Sequence, residues 1–200
     1  MDARTQKSEL TRAAIVGAAL DLAAAEGLEA ITLQAVADRI GLSKSGVFSR
    51  VGSREALQKA VIEEYGRRFI AEVFVPAMLA PKGLPRLNEI VRRWFVRMRE
   101  VEAHTGCLYT AGAFELDDRE GELRDHLLGE VTRWRAALRR TVLQAVDAGH
   151  LQADTDPEQL VGELSSLAIG LIHDTRFLRD ARAADRAQAS WERLIRSYQA

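Results

Sequence analysis

A short run of basic residues carries the most informative chemistry in this chain of 200 residues. Between residues 39 and 59, five lysines and arginines stand against a single acid, Glu55: they are Arg39, Lys44, Arg50, Arg54 and Lys59. This stretch carries +4 although the whole chain carries −1, so the remainder carries −5. Positive charge concentrated around one short helix is typical of proteins that bind nucleic acid, whose phosphates attract it. The alternative interpretation is a solvated, charged helix face.

Two other groupings have the residue types of a metal site or an active site. Glu122, His126 and Glu130 are spaced to share one helix face, but acids and imidazoles at this spacing more often form a solvated ion-pair ladder. His104 and Cys107 lie three residues apart without an evident third group to orient the histidine. The chain also lacks the GxSxG, HExxH and glycine-rich phosphate-binding patterns. We therefore expect no catalysis, no metal and no cofactor, with a metal-dependent enzyme as the remote alternative.

The composition indicates a globular protein: 47% of the residues are hydrophobic, 28% are charged and only four are proline. A single cysteine, Cys107, excludes an internal disulfide and suits a reducing cytosol. The apolar run Ala13–Leu20 resembles the core of a signal peptide, but Asp21 interrupts it and an amphipathic helix is the better interpretation. No window is long and apolar enough to span a membrane. We expect a cytoplasmic protein.

Helical periodicity runs through the whole sequence and predicts an all-α fold of about nine helices. Thr32 and Ser43 are suitable N-caps for two short helices, and Gly41 and Gly52 are suitable terminators. The predicted helices cover about residues 8–25, Leu33–Ile40, Lys44–Val51, Ser53 to before Pro76, Pro85–Ala103, Asp117–Ala148 with an interruption near Gly129, Pro157–Leu178 and Ala183–Tyr198.

The aromatic residues divide the chain unevenly. Of twelve, only Phe48 lies within residues 1–64. This predicts a small N-terminal domain over residues 1–53, followed by an aromatic-rich helical domain over residues 54–200. Within the first, residues 32–51 have the pattern of a helix-turn-helix, since small Ala37 allows the helices to cross closely and Gly41 suits the turn.

At this point the chain resembles the TetR family of tetracycline-repressor-like regulators. The resemblance covers about residues 8–60 and rests on Thr11–Ile15, Glu26-Gly27, Ile31–Ala37, Gly41–Phe48 and Gly52–Leu57. Residues 106–118 and the helix start at Asp156–Leu160 resemble parts of the ligand-binding domain in one branch of that family. The resemblance implies an N-terminal helix-turn-helix domain that binds double-stranded DNA and a C-terminal helical domain for effector binding and dimerisation.

Roles in DNA binding follow from the resemblance, which makes Lys44–Val51 the recognition helix in the major groove. It implies phosphate contacts from Thr32, Ser43, Lys44, Ser45 and Lys59, and contacts to bases or backbone from Gln34 and Ser49. Gly46 would allow close approach of the backbone. The chain departs from the family at Phe48, where a tyrosine is common, and at Arg50 and Val51, where histidine and phenylalanine are common. For Arg50 two roles stay open, a DNA contact and a favourable cation at the C-terminus of the helix.

Dimerisation is expected because a single recognition helix touches few bases. The segments 157–178 and 183–198 carry apolar residues on more than one face, and Gly162, Ser166 and Gly170 form a stripe of small residues. Two copies of these helices are therefore predicted to form a four-helix interface, as is usual in the family. The alternative is ordinary packing within one chain.

The C-terminal part is also expected to hold a small apolar or amphipathic effector, as the family resemblance implies. Most aromatic residues there belong to the core on general grounds. The effector-binding candidates are Phe69, Trp94, Met98, Tyr109, Phe114, Trp134, His173 and Phe177. The function predicted from the sequence is a homodimeric, ligand-responsive transcriptional regulator, most simply a repressor that binds a palindromic operator. The alternative is a helical ligand-binding or interaction module that has lost DNA binding.

Overall fold

The architecture is all-α, as predicted. A computed structural model describes the backbone of residues 3–200 and the side chains of residues 5–200. In these residues the only strand-like pairing is an isolated bridge between Leu151 and Gln199. Nine helices of eight residues or more are present in this part of the chain: α1 (Ala3–Glu26), α2 (Leu33–Ile40), α3 (Lys44–Val51), α4 (Arg54–Phe69), α5 (Leu84–Arg97), α6 (Leu108–Leu116), α7 (Glu122–Asp147), α8 (Pro157–Arg176) and α9 (Ala183–Ser197).

The chain divides into two compact units. The first unit comprises the described residues up to Arg68 together with Cys107–Glu130, and the second comprises Phe69–Gly106 and Val131–Ala200. Each unit is therefore built from two separate stretches of sequence. The predicted boundary after residue 53 separates the DNA-binding segment from the segment for effector binding and dimerisation, and it stays a prediction.

In the first unit, α1, α2 and α3 pack around a small aliphatic core. Ile15 of α1, Ala37 of α2 and Val47 of α3 are fully buried. Gly41 has a left-handed conformation (φ +68°) that turns the chain sharply between α2 and α3. The predicted bounds of α2 and α3 are confirmed, because the signals that set them are local to each helix.

In the second unit, α8 and α9 pack along each other and bury a row of leucines from α8. The predicted start of α8 is confirmed, since the Asp156 carboxylate accepts a hydrogen bond from the backbone N–H of Glu158 (2.8 Å). Trp191 of α9 is 2% exposed, and its indole N–H donates to Oδ1 of Asn88 on α5 (3.0 Å). This bond satisfies the one polar atom of a buried tryptophan.

The expectation that the helical stretch beginning with α4 stops before Pro76 is wrong. After α4 the chain continues through a π-helical turn, Ile70–Phe74, and a last helical turn, Val75–Ala77, which contains the proline. The N–H of Val75 donates to the carbonyl of Ile70, five residues earlier. This wider turn makes room for the proline ring, which would otherwise clash with a carbonyl of the preceding turn.

The expected helix start at Asp117 is also wrong. Helix α6 already occupies Leu108–Leu116, so Asp117 follows the end of a helix that the sequence analysis had not predicted. The next helix, α7, begins after Gly121, which has φ +133°. Helix α7 then continues through Gly129 without the expected interruption, because one glycine inside a long helix costs only about 1 kcal/mol.

Candidate nucleic-acid interface

Helix α3 has one buried face and one exposed face. Val47 is fully buried, whereas Phe48 is 57% exposed. The other exposed side chains of the helix are polar or basic: Lys44, Ser45, Ser49 and Arg50. The helix therefore directs cations, hydroxyls and one aromatic ring outwards, which are groups that contact phosphates and the edges of bases.

The N-terminus of α3 is organised by Ser43. Its hydroxyl accepts a hydrogen bond from the N–H of Gly46 (3.0 Å) and lies 3.1 Å from the hydroxyl of Ser45. A Cβ atom at position 46 would lie 3.1 Å from the Ser43 hydroxyl. Glycine at this position therefore leaves room for the cap, a reason for Gly46 that is independent of any approach to DNA.

Helix α2 begins in a similar way, with Thr32 accepting from the N–H of Ala35 (3.0 Å). Thr32 and Gln34 are both exposed. The Gln34 amide already donates to Oδ1 of Asp38 one turn later (2.7 Å). Gln34 can thus reach a base only by exchanging this exposed hydrogen bond for another.

The two polar residues near the end of α3 are held by different partners. Ser49 donates to the carbonyl of Gly46 in its own helix (2.9 Å). Arg50 donates from Nη1 to the hydroxyl of Ser8 on α1 (2.9 Å) and stays exposed. The Ser8 bond is to a neutral group, so the positive charge of Arg50 is not compensated by it.

Lys59 has surroundings that the sequence analysis did not foresee. Its ammonium lies 2.5 Å from a carboxylate oxygen of Glu122 and 2.8 Å from one of Glu55. The hydrogen bond to Glu122, followed by that to Glu55, raises the pKa of Lys59 above its ordinary value. Its charge is therefore balanced by two carboxylates within the first unit. Its role as a phosphate contact stays a prediction.

Arg54 also has a role that the charge pattern did not reveal. Its Nε donates to the carbonyl of Ile31 (2.8 Å) and its Nη2 to that of Glu29 (2.6 Å). The guanidinium also lies 3.2 Å from the Glu29 carboxylate. Arg54 and Lys59 are both at least partly exposed, but their charged groups already have partners within the chain. The sequence shows how many charges a segment carries, but residues far away along the chain determine which of them are paired within the fold.

An aromatic cluster in the second unit gathers three of the effector-binding candidates. Trp94 and Trp134 meet edge to face with ring centroids 5.2 Å apart, and Phe69 lies edge-on to both, 6.1 Å from Trp94 and 4.7 Å from Trp134. Both indole N–H groups are buried without a hydrogen-bond partner among the described residues. Met98, a fourth candidate, is 1% exposed in the same unit. Buried donors without partners are costly, which marks this cluster as a candidate ligand site.

The other four effector-binding candidates have different surroundings. Tyr109 belongs to the first unit and packs edge-on against Tyr65 (4.8 Å). Phe114, also in the first unit, is 66% exposed. His173 and Phe177 lie near each other at the exposed end of α8, with ring centroids 5.4 Å apart. The eight candidates are thus divided between the two units, and Phe114, His173 and Phe177 are exposed.

Helix α8 has one face that is buried in the core of the second unit and another face that is partly exposed. Leu160, Leu164 and Leu171 are at most 2% exposed on the inner side. On the other side, Ile169 is 45% exposed. An open groove there is lined by Gly162, Ser166, Leu167, Ile169 and, from α9, Leu194, with Arg135 at its margin.

Three members of the alternative catalytic groupings, Glu122, His126 and Cys107, lie close to other side chains. Glu122 pairs with Lys59, and Nε2 of His126 lies 3.5 Å from a Glu63 oxygen. Cys107 accepts from the hydroxyl of Tyr65 (3.3 Å). Among the described residues, no three histidine, cysteine or acidic side chains lie close enough together to hold a metal ion. Within the same residues, no helix has the length and apolar character that crossing a membrane requires.

Comparisons with known proteins agree with the architecture. Residues 15–61 match the family model described as bacterial regulatory proteins, tetR family, and residues 83–191 match that of the tetracyclin repressor-like C-terminal domain. A search among curated proteins found no match.

Solved structures similar to this one include three tetR-type regulators. A TetR transcriptional regulator from Chloroflexus aurantiacus is 19% identical, with a TM-score of 0.84 over 97% of this chain and 98% of that one. A TetR-family regulator from Cytophaga hutchinsonii is 20% identical, with a TM-score of 0.82 over 96% of both chains. The regulatory protein TetR from Rhodobacter sphaeroides is 20% identical, with a TM-score of 0.74 over 90% of this chain and 96% of that one.

At these identities the solved structures show the fold, whereas the two family models together span the helix-turn-helix and most of the remaining chain. The capped and exposed helix α3 lies within the first of these matches. The chain belongs to the tetR family of bacterial regulatory proteins and is a DNA-binding transcriptional regulator.

Proposed function

We propose that this regulator is a homodimeric repressor in the cytoplasm that binds a palindromic operator and is released from it by a small effector. The observation that carries the proposal is the exposed face of α3, which is capped by Ser43 and supported from behind by the buried Val47. This geometry suits a recognition helix, since such a helix places its N-terminal residues against base edges in the major groove.

Phosphate contacts are proposed for the residues at the starts of α2 and α3. Thr32, Ser43, Lys44 and Ser45 are exposed beside the N-terminal amides of the two helices. A helix N-terminus attracts anions through its free N–H groups and the positive end of its dipole. These contacts would set the register of the protein on the duplex without selecting its sequence.

Sequence selection is proposed for the middle and the end of α3, with a contribution from Gln34 on α2. Arg50 is exposed, and its guanidinium is suited to donate two hydrogen bonds to a guanine. The exposed ring of Phe48 lacks the hydroxyl of a tyrosine and can instead pack on a thymine methyl group. Ser49 and Gln34 would exchange their present hydrogen bonds for bonds to the DNA.

Dimerisation is proposed through the outer faces of α8 and α9. Gly162, Ser166 and Gly170 allow a second backbone to approach closely, and Ile169 offers an apolar side chain that is 45% exposed. A dimer would carry two α3 helices, and a palindromic operator presents its two half-sites about 34–36 Å apart along the duplex.

Effector binding is proposed at the aromatic cluster of Phe69, Trp94, Met98 and Trp134. The apolar rings favour an apolar or amphipathic molecule, and the two unpartnered indole N–H groups favour one that carries hydrogen-bond acceptors. Release from DNA requires that the effector binds one arrangement of the dimer better than the other, with a coupling free energy of typically about 1–3 kcal/mol.

The first experiment is a selection of duplexes from random DNA by the purified full-length chain. A mobility-shift titration of the selected duplex at several salt concentrations and a measurement of molar mass in solution complete it. We expect an enriched palindrome, binding that weakens steeply with salt, and a dimer at micromolar concentration. Negligible affinity that does not depend on salt would instead support a helical module without DNA binding, and a strictly monomeric mass would contradict the interface on α8 and α9.

A further inference from the structure

The segment between α1 and α2 is held by the side chain of a distant glutamate. The two carboxylate oxygens of Glu115, near the end of α6, accept hydrogen bonds from the N–H groups of Leu28 (2.8 Å) and Glu29 (2.6 Å). These residues start the short 3₁₀ turn Leu28–Ala30. One carboxylate therefore satisfies two backbone donors that no residue of that turn serves, in charge-assisted hydrogen bonds of the stronger kind.

The neighbouring glycine is shaped for this contact. Gly27 has φ +93°, and a Cβ atom on it would lie 3.0 Å from Oε2 of Glu115 and 3.3 Å from its Cδ. Both the conformation and the space next to the carboxylate therefore favour a residue without a side chain. This observation is independent of the hydrogen bonds and points to the same interaction.

The carbonyl groups of the same segment are held from the other side by α4. Gln58, which is 3% exposed, donates to the carbonyl of Leu28 (2.8 Å), and Arg54 donates to those of Glu29 and Ile31. Arg119, just after α6, lies 3.0 Å from the Glu29 carboxylate. Side chains of α4 and of the α6 region thus hold both the donors and the acceptors of residues 28–31.

This segment leads directly to Thr32, the N-cap of α2, and α2 leads to α3 through the tight turn at Gly41. Any freedom gained by residues 27–31 would therefore be passed on to the two helices that are proposed to contact DNA. Contacts of α1 with α2 and α3 keep these helices together as a group. The hydrogen bonds from Leu28 and Glu29 to Glu115 join this group to α6, and we call this contact the clasp.

We propose that Glu115 is a positioning residue whose carboxylate fixes α2 and α3 on α6, so that the protein selects operators by the spacing of their half-sites. The inference rests on the proposed function, because spacing has meaning only for a dimer that reads two half-sites. Two recognition helices discriminate between spacings only when each is held rigidly on its own chain.

The first test needs no DNA and measures the clasp itself. In the full-length chain, backbone amide exchange of Leu28 and Glu29 is followed by NMR in the wild type, Glu115→Ala, Glu115→Gln and the control Glu120→Ala, which removes a neighbouring exposed acid. We expect exchange at both amides to be about tenfold faster or more in Glu115→Ala, since each loses a charged acceptor. Glu115→Gln, which keeps one carbonyl oxygen, should fall between, and Glu120→Ala should match the wild type. Unchanged exchange in Glu115→Ala would overturn the proposal.

The second test separates positioning from simple destabilisation. The duplex selected by the wild type is compared with the same duplex carrying one base pair more, or one fewer, between its half-sites. We expect the wild type to prefer the original spacing strongly and Glu115→Ala to lose about threefold or more of this preference, because looser helices adapt to either spacing. Glu115→Gln keeps the measurement meaningful if the alanine variant does not fold.

Equal losses of affinity on all duplexes, with the preference unchanged, would show a merely structural role and overturn the proposal. If the wild type selects no duplex at all, the proposed function fails and the role in spacing fails with it. The exchange measurement would in that case still report whether the clasp exists. The two failures are therefore distinguishable.

Discussion

The basic residues of α3 and those at the start of α4 carry the same charge but have different partners. Lys44 and Arg50 are exposed, and their charges meet no carboxylate within salt-bridge distance in the described structure. Arg54 holds two backbone carbonyls, and Lys59 is paired with two carboxylates. The cluster of positive charge in the sequence thus contains two kinds of residue: cations that face solvent and can bind a polyanion, and cations whose bonds within the chain hold the helices in place.

The largest effect is expected from removing Arg54. Arg54→Ala leaves the carbonyls of Glu29 and Ile31 without this donor, so we expect the free energy of unfolding to fall by about 2 kcal/mol. Chemical denaturation measures it. The matched control is Arg39→Ala on the exposed surface of α2, for which a change within about 0.5 kcal/mol is expected. Equal losses of unfolding free energy at the two positions would contradict the distinction between cations that hold the fold together and cations of the surface.

The next effect concerns Arg50 and should appear in binding instead of stability. Arg50→Ala is expected to weaken binding of the selected duplex about tenfold, because a guanidinium that contacts DNA is lost while only one exposed hydrogen bond, to Ser8, is removed from the fold. Fluorescence anisotropy at moderate salt measures the affinity. Unchanged affinity would return Arg50 to the role of a favourable cation at the end of α3.

A pair of lysine variants sharpens the comparison further. Lys44→Ala should lower the slope of log affinity against log salt concentration by about 1, as expected for one lost phosphate contact. Lys59→Ala should lower the slope less than Lys44→Ala, since a phosphate contact from Lys59 requires its ammonium to leave Glu122 and Glu55. A fall of similar size for Lys59 would mean that the lysine leaves these carboxylates when DNA binds.

The smallest effect is a pH dependence farther along α4. Hydrogen bonds from Arg67 and then Arg68, opposed by burial, lower the pKa of Glu64 from 4.5 to about 2. A lowered carboxylate pKa stabilises the fold above pH 4.5 and loses this contribution as the pH falls towards 2. We expect Glu64→Gln to lose stability less steeply between pH 5 and pH 3, by under about 1 kcal/mol because the arginines are partly solvated. Urea unfolding at both pH values measures it, and parallel declines would contradict it.

The parts of the fold that were predictable are those with local signals. Thr32 and Ser43 cap α2 and α3 as expected, and Gly41 and Gly52 end them, because capping involves residues only a few positions apart. Asp156 sets the start of α8 for the same reason. The predictions were wrong where residues outside the local pattern changed its effect. At Pro76 a π-helical turn accommodates the proline, and Asp117 follows the end of α6 instead of starting a helix.

The candidate site was predictable to a similar degree. Part of the exposed face of α3 follows from helical periodicity, since burying Val47 turns Ser45 and Ser49, two positions away on either side, to the opposite face. The effector-binding candidates rest on residue type and on the family resemblance, and the structure gathers Phe69, Trp94 and Trp134 but leaves Phe114 and Phe177 exposed. Residue type does not distinguish a buried ring in a cluster from an exposed ring, because phenylalanine occurs here in both surroundings.

By itself, the amino-acid sequence determined the helical class, the helix-turn-helix and its polar outer face, because each depends on interactions between residues close together in the chain. Which cations are available to a partner depends on contacts between residues far apart in the chain, and so do the hydrogen bonds of Glu115 to Leu28 and Glu29, 87 and 86 positions away. The physical reason is that a charge or a backbone donor is satisfied by whatever lies within about 3 Å of it, and folding alone chooses that neighbour.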